Sequence, residues 1–311
     1  MEKIVNKRLL FFTCLWLLLP IGAAFAQRTR KTTPLKPAAT PEQIIFAVYG
    51  EGERMLEPIA VWRNGKLEAT VAGDADDKTL NAFAKTYYRA GQKYRLIFGG
   101  GDAGTALVKT SMTASDCAKA NASATLQSKL QLNRLVMALA TNANAKLPAT
   151  VRRRPTPAER EALSAPVRAE YGKHGVTVAA LKGLLYVNLT ALDLDRDGAF
   201  ELVGSALVQG KGADKRLLFF VAELQNGKYE LRQANYDQIT ADSIMSGGDI
   251  KEVDTGLLNE LLVDVYDVDG DGVAEVFTVK QSFEGSRFSV YHRQKGAWEL
   301  WYDTNNYHCA F

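Results

Sequence analysis

The chain has 311 residues and a formal net charge of +3, with basic and acidic side chains in near balance. That balance gives no argument for nucleic acid or an anionic membrane surface as a partner, and neither is expected. The length is enough for one large domain or two modest ones.

The first 26 residues predict a secretory signal peptide. A basic start precedes an apolar run, 9–19, that is too short to span a bilayer, and residues 24–26 form an A-x-A cleavage site. The alternative is a retained membrane anchor. No later stretch approaches the length of a transmembrane helix. Cleavage after Ala26 therefore predicts a secreted, periplasmic or cell-surface protein without an integral membrane segment.

Two cysteines remain after that cleavage, Cys117 and Cys309. In an oxidising compartment they suggest one disulfide between the middle of the chain and its C-terminus, and two unpaired thiols are the alternative. A zinc site is not expected, because the chain has no C-x-x-C pair and His308 beside Cys309 gives only two candidate ligands.

Residues 27–43 are rich in Pro, Thr, Ala and Lys and predict a disordered linker. A small β-rich module is expected over 44–113. It starts with a strand over 44–49, and Asn64-Gly65 in the run 59–69 suits the type I′ turn of a hairpin. Apolar residues that recur at helical spacing, and so share one face, predict a short helix over 79–88.

Two further strands, 94–98 and 105–108, are expected to pair across the glycine-rich segment 99–104. That segment lacks the Gly-Lys-Ser/Thr ending of a phosphate loop, so a mobile hairpin tip is the interpretation favoured. Residues 114–155 predict a connector, within which 130–140 fits either a helix or a strand. The basic run 152–154 is read as solvated rather than as a binding patch.

A helix is expected over 156–175. Thr156 suits the N-cap, Pro157 the first helical position, and Glu159 completes a capping box. Pro166 is expected to bend or split the helix, and a glycine, Gly172 or Gly175, to end it.

The remaining region, 176–311, predicts a β-repeat domain with two copies of the pattern D-x-D-x-D-G-x-x-E, 74 residues apart. Each copy follows an alternating strand, and strand, turn, strand, turn and strand come after it. Calcium takes six to eight oxygen ligands, which carboxylates at this spacing can supply, and the glycine permits the sharp turn around the ion. The acidic residues are Asp193, Asp195, Asp197 and Glu201 in the first copy, and Asp267, Asp269, Asp271 and Glu275 in the second.

This pattern between two strands resembles the FG-GAP and VCBS repeats, the calcium-loop repeats of integrin-type propellers and of many secreted bacterial proteins. The resemblance covers about residues 184–305. It implies two Ca²⁺ ions, with the eight acidic residues as side-chain ligands and Ala199 and Val273 as backbone carbonyl ligands. Glutamate stands at position nine where aspartate is usual, which implies a looser cage. Two copies are fewer than the four blades of a propeller, so a sandwich or a partial propeller is expected.

Other interpretations of the same residues are weaker. An EF-hand would need a glutamate at position twelve, where Gly204 and Thr278 stand, and helices on either side of the loop. Magnesium demands stricter geometry than calcium. Ordinary Asp-rich turns remain an alternative, but two copies with one spacing favour metal, because a cation relieves the repulsion among four carboxylates.

We therefore expect a mainly β protein with a few short helices, exported, calcium-binding and without enzymatic activity. The metal would have a structural role or support adhesion to an unknown protein or glycan partner. No H-E-x-x-H or G-x-S-x-G motif occurs. The rival hypothesis is a secreted hydrolase with its site in 44–150. C-terminal aromatic residues could form a binding face or simply pack between strands: Tyr291, Trp298, Trp301, Tyr302 and Tyr307.

Overall fold

The structure is a computed structural model that describes residues 42–112, 118–144, 146–211, 214–240, 258–282 and 284–308. These residues belong to one compact unit. They are mainly β with two α-helices, which confirms the expected fold class. The predicted signal peptide, the linker up to residue 41, Cys117 and Cys309 lie outside the described residues. No helix among the described residues is long and apolar enough to cross a membrane.

The first sheet has seven strands in the order β1-β7-β4-β5-β6-β2-β3, and β1 also pairs with β2. Six strands therefore close into a ring, to which β3 is attached through β2. The strands are β1 Gln43–Tyr49, β2 Arg54–Arg63, β3 Lys66–Glu68, β4 Lys93–Phe98, β5 Gly101–Ser111, β6 Ala122–Gln127 and β7 Ala138–Thr141. Helix α1, Asp77–Tyr87, is capped by the Asp76 carboxylate, which accepts from Thr79 N at 2.9 Å.

Both predicted hairpins of this sheet are confirmed. Asn64 and Gly65 have φ angles of 52° and 78°, as a type I′ turn between β2 and β3 requires. The pairing of β4 with β5 turns at Gly99 and Gly100, and β5 already begins at Gly101. The expected mobile tip is wrong for this end of the glycine segment. A Cβ atom on Gly101 would lie only 2.4 Å from Thr150 N, so the turn is closely packed.

The prediction that residues 114–155 form a connector is wrong. This segment supplies β6 and β7, which complete the ring by pairing with β5, β2, β4 and β1. The ambiguous run 130–140 is a strand only from Ala138 onwards. Small, weakly apolar residues such as those of β6 carry little local signal, and their pairing with distant strands decides their structure.

Helix α2, Pro157–Lys173, confirms the predicted capping box at Thr156. The helix continues through Pro166, so of the two expected effects of this proline, a bend or a split, the split does not occur. Gly175 has a φ of 75°, and its N–H donates to the carbonyl of Gly172 while Val176 N donates to that of Tyr171. These two bonds form a Schellman motif, which ends the helix at the left-handed glycine.

Each copy of the repeated pattern belongs to its own antiparallel sheet. The first sheet of the repeat has the order β12-β11-β10-β8, with β9 also on β10, and the second has the order β13-β14-β15-β16. The strands are β8 Leu185–Tyr186, β9 Thr190–Leu192, β10 Glu201–Gln209, β11 Lys215–Gln225, β12 Lys228–Ile239, β13 Glu260–Tyr266, β14 Glu275–Gln281, β15 Gly285–Gln294 and β16 Ala297–Tyr307. One turn of 3-10 helix, Ala180–Gly183, precedes β8.

The alternating strand expected before the first carboxylate loop is interrupted between β8 and β9. A Cβ atom on Gly204 of β10 would lie 2.6 Å from the carbonyl oxygen of Asn188, so the backbones approach closely at the interruption. The Asn188 side chain then accepts from Leu262 N of the neighbouring sheet at 3.1 Å. The break in the strand thus fastens the two repeat sheets together.

The elements stack in layers around continuous cores. Alternate residues of β1 face the inside of the ring (Ile44, Phe46 and Val48) or the sheet β13–β16 (Ile45 and Ala47). That sheet packs its other face on the sheet β8–β12, and helix α2 covers the far side of the latter. Both carboxylate loops therefore stand at the edge of the two-sheet core.

Candidate metal centre

The two carboxylate loops, residues 193–201 and 267–275, have the same backbone path. Position six is a glycine with positive φ in both, 90° at Gly198 and 95° at Gly272. Position four is also left-handed, with a φ of 59° at Arg196 and 81° at Gly270. An arginine adopts this conformation at a cost, whereas glycine adopts it freely. The predicted turn is therefore present, and the second loop forms it with less strain.

Three hydrogen bonds organise the first loop. Gly198 N lies 3.3 Å from Asp193 Oδ2, and Asp197 N lies 3.4 Å from Asp195 Oδ1. Ala199 N donates to Asp197 Oδ1 at 2.7 Å. The three aspartates thus accept from backbone N–H groups of their own loop, which turns the carboxylates towards its centre.

The second loop repeats this pattern bond for bond. Gly272 N donates to Asp267 Oδ2 at 3.1 Å, and Asp271 N donates to Asp269 Oδ1 at 3.0 Å. Val273 N donates to Asp271 Oδ1 at 2.8 Å. Two sequences that share only the acidic positions and one glycine therefore reach the same arrangement.

The glutamate at position nine stabilises each loop by accepting a hydrogen bond from the loop backbone. Glu201 Oε2 accepts from Leu194 N at 2.8 Å, and Glu275 Oε2 accepts from Val268 N at the same distance. Both glutamates are buried at the start of a strand. One oxygen of each is therefore committed to the backbone, and at most the other is free to face an ion.

The described residues contain acidic clusters that could hold a metal ion. Asp193, Asp195 and Asp197 bring oxygens within 4.8 Å of one another, and so do Asp267, Asp269 and Glu275. Glu201 lies outside the first of these clusters, although it occupies the equivalent position. The structure thus gathers most of the predicted side-chain ligands and leaves Glu201 as a bracing residue.

One oxygen in the first loop has no partner. Asp193 Oδ1 is buried and accepts no hydrogen bond from the described residues. In the second loop, the corresponding Asp267 Oδ1 accepts from Gly270 N at 2.7 Å. A buried carboxylate oxygen without a donor is costly, and a cation in the loop would satisfy it. The donor set of the first loop therefore fits a hard, oxygen-binding ion.

The electrostatics of both loops disfavour a full set of charges. Burial, together with the charges of Asp195 and Glu223, raises the pKa of Glu201 to about 7. Burial, with the charges of Asp269 and Asp267, raises the pKa of Glu275 to about 9. Crowded carboxylates that hold protons at neutral pH are the state that a bound cation relieves.

A histidine that the sequence did not indicate stands beside the second loop. His292 of β15 lies opposite Glu275 of β14, and its Nδ1 is 3.1 Å from Glu275 Oε1. A ring nitrogen of His292 is also within 4.8 Å of carboxylate oxygens of Asp269 and Asp271. Only the antiparallel register reveals this neighbour, since 17 residues of sequence separate it from Glu275.

The first loop has an arginine in its surroundings instead. Arg293 of β15 reaches across the two sheets, and its Nη1 is 2.7 Å from Asp195 Oδ2. Its Nε is 3.2 Å from Glu223 Oε1, which also accepts from Trp298 Nε1 at 2.8 Å. The first loop is therefore tied to the second sheet through its own carboxylate.

The C-terminal aromatic residues are mostly packed rather than displayed. Trp298 and Tyr291 are buried in the core between the repeat sheets. Trp301 and Tyr302 are half-buried against the ring, where Trp301 meets Trp62 with ring centroids 5.5 Å apart. Tyr307 is 41% exposed. A continuous aromatic binding face is not formed by these five residues.

The chain matches no family model, no curated protein and no solved structure. The resemblance to FG-GAP and VCBS repeats remains a prediction from the loop residues.

Proposed function

We propose that this protein is an exported calcium-binding β protein without enzymatic activity, with one Ca²⁺ ion in each carboxylate loop. The proposal is carried by the buried, unpartnered Oδ1 of Asp193 inside a loop whose hydrogen-bond pattern recurs in the second loop. Side-chain oxygens at positions one, three and five would hold each ion, with the carbonyls of Ala199 and Val273 as further ligands and position nine as a brace.

The ions would act on stability. Each loop connects two strands of a repeat sheet, β9 to β10 and β13 to β14, and an ion that binds only the folded loop stabilises the whole sheet. The metal would thereby rigidify a surface that binds a protein or glycan partner outside the cell. That last role follows from the family resemblance alone.

Calorimetric titration of the purified protein with calcium, together with thermal melting, tests the proposal. We expect close to two ions per chain and a stabilisation of about 2.7 kcal/mol at a free calcium concentration about 100 times Kd. Asp193→Asn and Asp267→Asn should each remove one ion, whereas Asp303→Asn, at an exposed ion pair with Arg287, should remove none. The absence of heat and of any thermal shift would reduce both loops to ordinary turns.

The rival hydrolase hypothesis receives less support from the region 44–150. Its most conspicuous acid is Glu57, which is fully buried and lies 2.7 Å from His308 Nε2. Glu57 also accepts from Asn306 Nδ2 at 2.8 Å and from Tyr49 Oη at 2.5 Å. A carboxylate surrounded by donors on both oxygens is better suited to fastening the C-terminal strand to the ring than to accepting a substrate proton.

A further inference from the structure

We infer that the two loops differ in their preference for a metal: both accept Ca²⁺, but the second, completed by His292, prefers a divalent transition metal ion such as Zn²⁺. The inference rests on the proposed metal binding and assigns the ion class of one of its two sites. It starts from the register of the two repeat sheets, which places different residues beside otherwise equal loops.

The register makes the comparison direct. Leu202 pairs with Ala222 in the first repeat sheet, and Val276 pairs with Tyr291 in the second. One step along each strand, Glu223 is therefore the counterpart of His292, and both stand opposite the glutamate at position nine. This strand position therefore gives the two loops different neighbours, a carboxylate in the first repeat and an imidazole in the second.

In the first repeat, Glu223 occupies this strand position and is engaged by arginines, so it does not serve as a metal ligand. Both Glu223 oxygens lie close to arginines: Oε1 is 3.2 Å from Arg293 Nε, and Oε2 is 3.5 Å from Arg232 Nε. The ligand atoms left to the first loop are all oxygens, which suits calcium.

In the second repeat the position offers nitrogen. His292 has a ring nitrogen within 4.8 Å of carboxylate oxygens of Asp269 and Asp271, and its side chain is only 16% exposed. Its Nδ1 is held by Glu275, and Nε2 makes no hydrogen bond with the described residues. The ring also lies against Trp301, with centroids 4.8 Å apart.

Such an arrangement is typical of metal-ligating histidines. A carboxylate partner on one ring nitrogen commonly fixes the tautomer and the ring orientation of a histidine that binds a metal. Imidazole suits zinc, copper, iron and nickel, whereas calcium prefers oxygen ligands. Two aspartates and one histidine therefore form a mixed site that Co²⁺ or Zn²⁺ should occupy in preference to Ca²⁺.

The test is a titration of the purified protein with Co²⁺ in saturating calcium, followed by visible absorption. We expect one Co²⁺ ion per chain with ligand-field bands of a nitrogen-containing site, displaced by Zn²⁺. His292→Gln removes a direct ligand, so it should weaken Co²⁺ binding by at least about 100-fold, the upper end of what loss of a mere orienting partner costs. The control His174→Gln changes a histidine stacked on Tyr236, and it should bind Co²⁺ like the parent.

A second measurement does not depend on a variant that folds. The chain has three histidines, so ¹⁵N-labelled histidine gives few ring signals, and Zn²⁺ should shift those of His292 alone. Equal Co²⁺ affinity and equal bands in parent and His292→Gln, or a failure of calcium-loaded protein to bind Co²⁺, would overturn this inference and leave calcium binding intact. A protein that binds no ion at all would overturn both proposals.

Discussion

At the scale of single residues, the loops depend on backbone conformations that few side chains accept. Gly198 and Gly272 have φ angles of 90° and 95°, and a Cβ atom on either would meet nothing within 4 Å. Any cost of a side chain there is therefore conformational rather than steric. Helix α2 supplies a contrasting position, because Gly172 is equally open but helical.

Alanine substitutions separate these two situations. Gly198→Ala and Gly272→Ala should each lower the free energy of unfolding by about 1–2 kcal/mol, because an L residue in the left-handed region is strained. Gly172→Ala should raise it by about 0.5–1 kcal/mol through helix propensity. Urea unfolding of the metal-free proteins measures the three values. A stabilising Gly272→Ala would show that the loop does not need its left-handed residue.

Asp264 is a second residue with a special environment, and this environment predicts a dependence of stability on pH. It is fully buried, accepts from Gly99 N at 2.8 Å and lies 3.4 Å from Arg152. Burial, partly offset by Arg152, raises the pKa of Asp264 from 3.8 to about 6. A raised carboxyl pKa means that its contribution to stability is complete below pH 3.8 and is lost as the pH rises through 6.

Asp264→Asn should therefore flatten the decline in stability between about pH 4 and 6. At pH 7 the variant should be less stable by about 3 kcal/mol, since Arg152 would keep a buried charge without its partner. Denaturant unfolding across that pH range measures both effects. Asp303→Asn is the control, because its partner Arg287 is half-exposed and the pair should be worth under about 1 kcal/mol. An unchanged pH profile would contradict the raised pKa.

At the scale of elements, strand β15 holds the two repeats together through adjacent residues. His292 serves the second loop, and Arg293 reaches the first loop and the buried Glu223. Loss of Arg293 would leave the charge of Glu223, which is only 2% exposed, with much less compensation by positive charge. The same strand carries Arg287, whose ion pair is on the surface.

Arg293→Ala should lower the free energy of unfolding by about 3 kcal/mol, as expected when one partner of a buried pair is removed. Arg287→Ala on the same strand should cost less than about 1 kcal/mol. Chemical unfolding of both variants in a metal chelator gives the comparison. Similar small losses for the two arginines would mean that the link between the repeats contributes little to stability.

The elements also show what the sequence could and could not predict. Three kinds of element have local sequence signals, and the structure contains all of them. Helix α2 has a capping box, the hairpin turns have Asn-Gly pairs, and the two loops have their acidic spacing. Strand β7 has four residues and lies between β1 and β4, so its existence depends on partners far away in sequence. His292 and Arg293 gained their roles in the same way, from register and sheet packing, which no local pattern encodes.

At the scale of the whole molecule, the C-terminal strand is fastened to the ring by one polar cluster. The Glu57 carboxylate of β2 accepts hydrogen bonds from Asn306 and Tyr49 and pairs with the ring of His308. Nearby, Tyr302 Oη donates to the carbonyl oxygen of Ile59 at 3.2 Å. Burial lowers the pKa of His308, but the hydrogen bond and charge of Glu57 outweigh that effect, and the pKa lies above 6.5. The first and last described strands are thereby joined.

This cluster predicts a pH dependence of stability at a higher pH than that predicted for Asp264. A raised histidine pKa gives stability that is complete below pH 6.5 and is lost as the pH rises through the folded pKa. His308→Gln should make the decline in melting temperature above about pH 6.5 shallower, whereas His174→Gln should retain it. A parent protein whose melting temperature is flat over that range would contradict the assignment.

The hydrogen bond from Ala274 N to the carbonyl of Leu194, 2.8 Å long, joins the two loops directly. The N–H of Leu194 meanwhile donates to Glu201, so one peptide segment is held by both sites. An ion that orders either loop has already ordered part of the other, and the second ion then has less conformational entropy to remove. The pair should consequently bind with positive cooperativity, and by reciprocity each ion should raise the affinity for the other by the same factor.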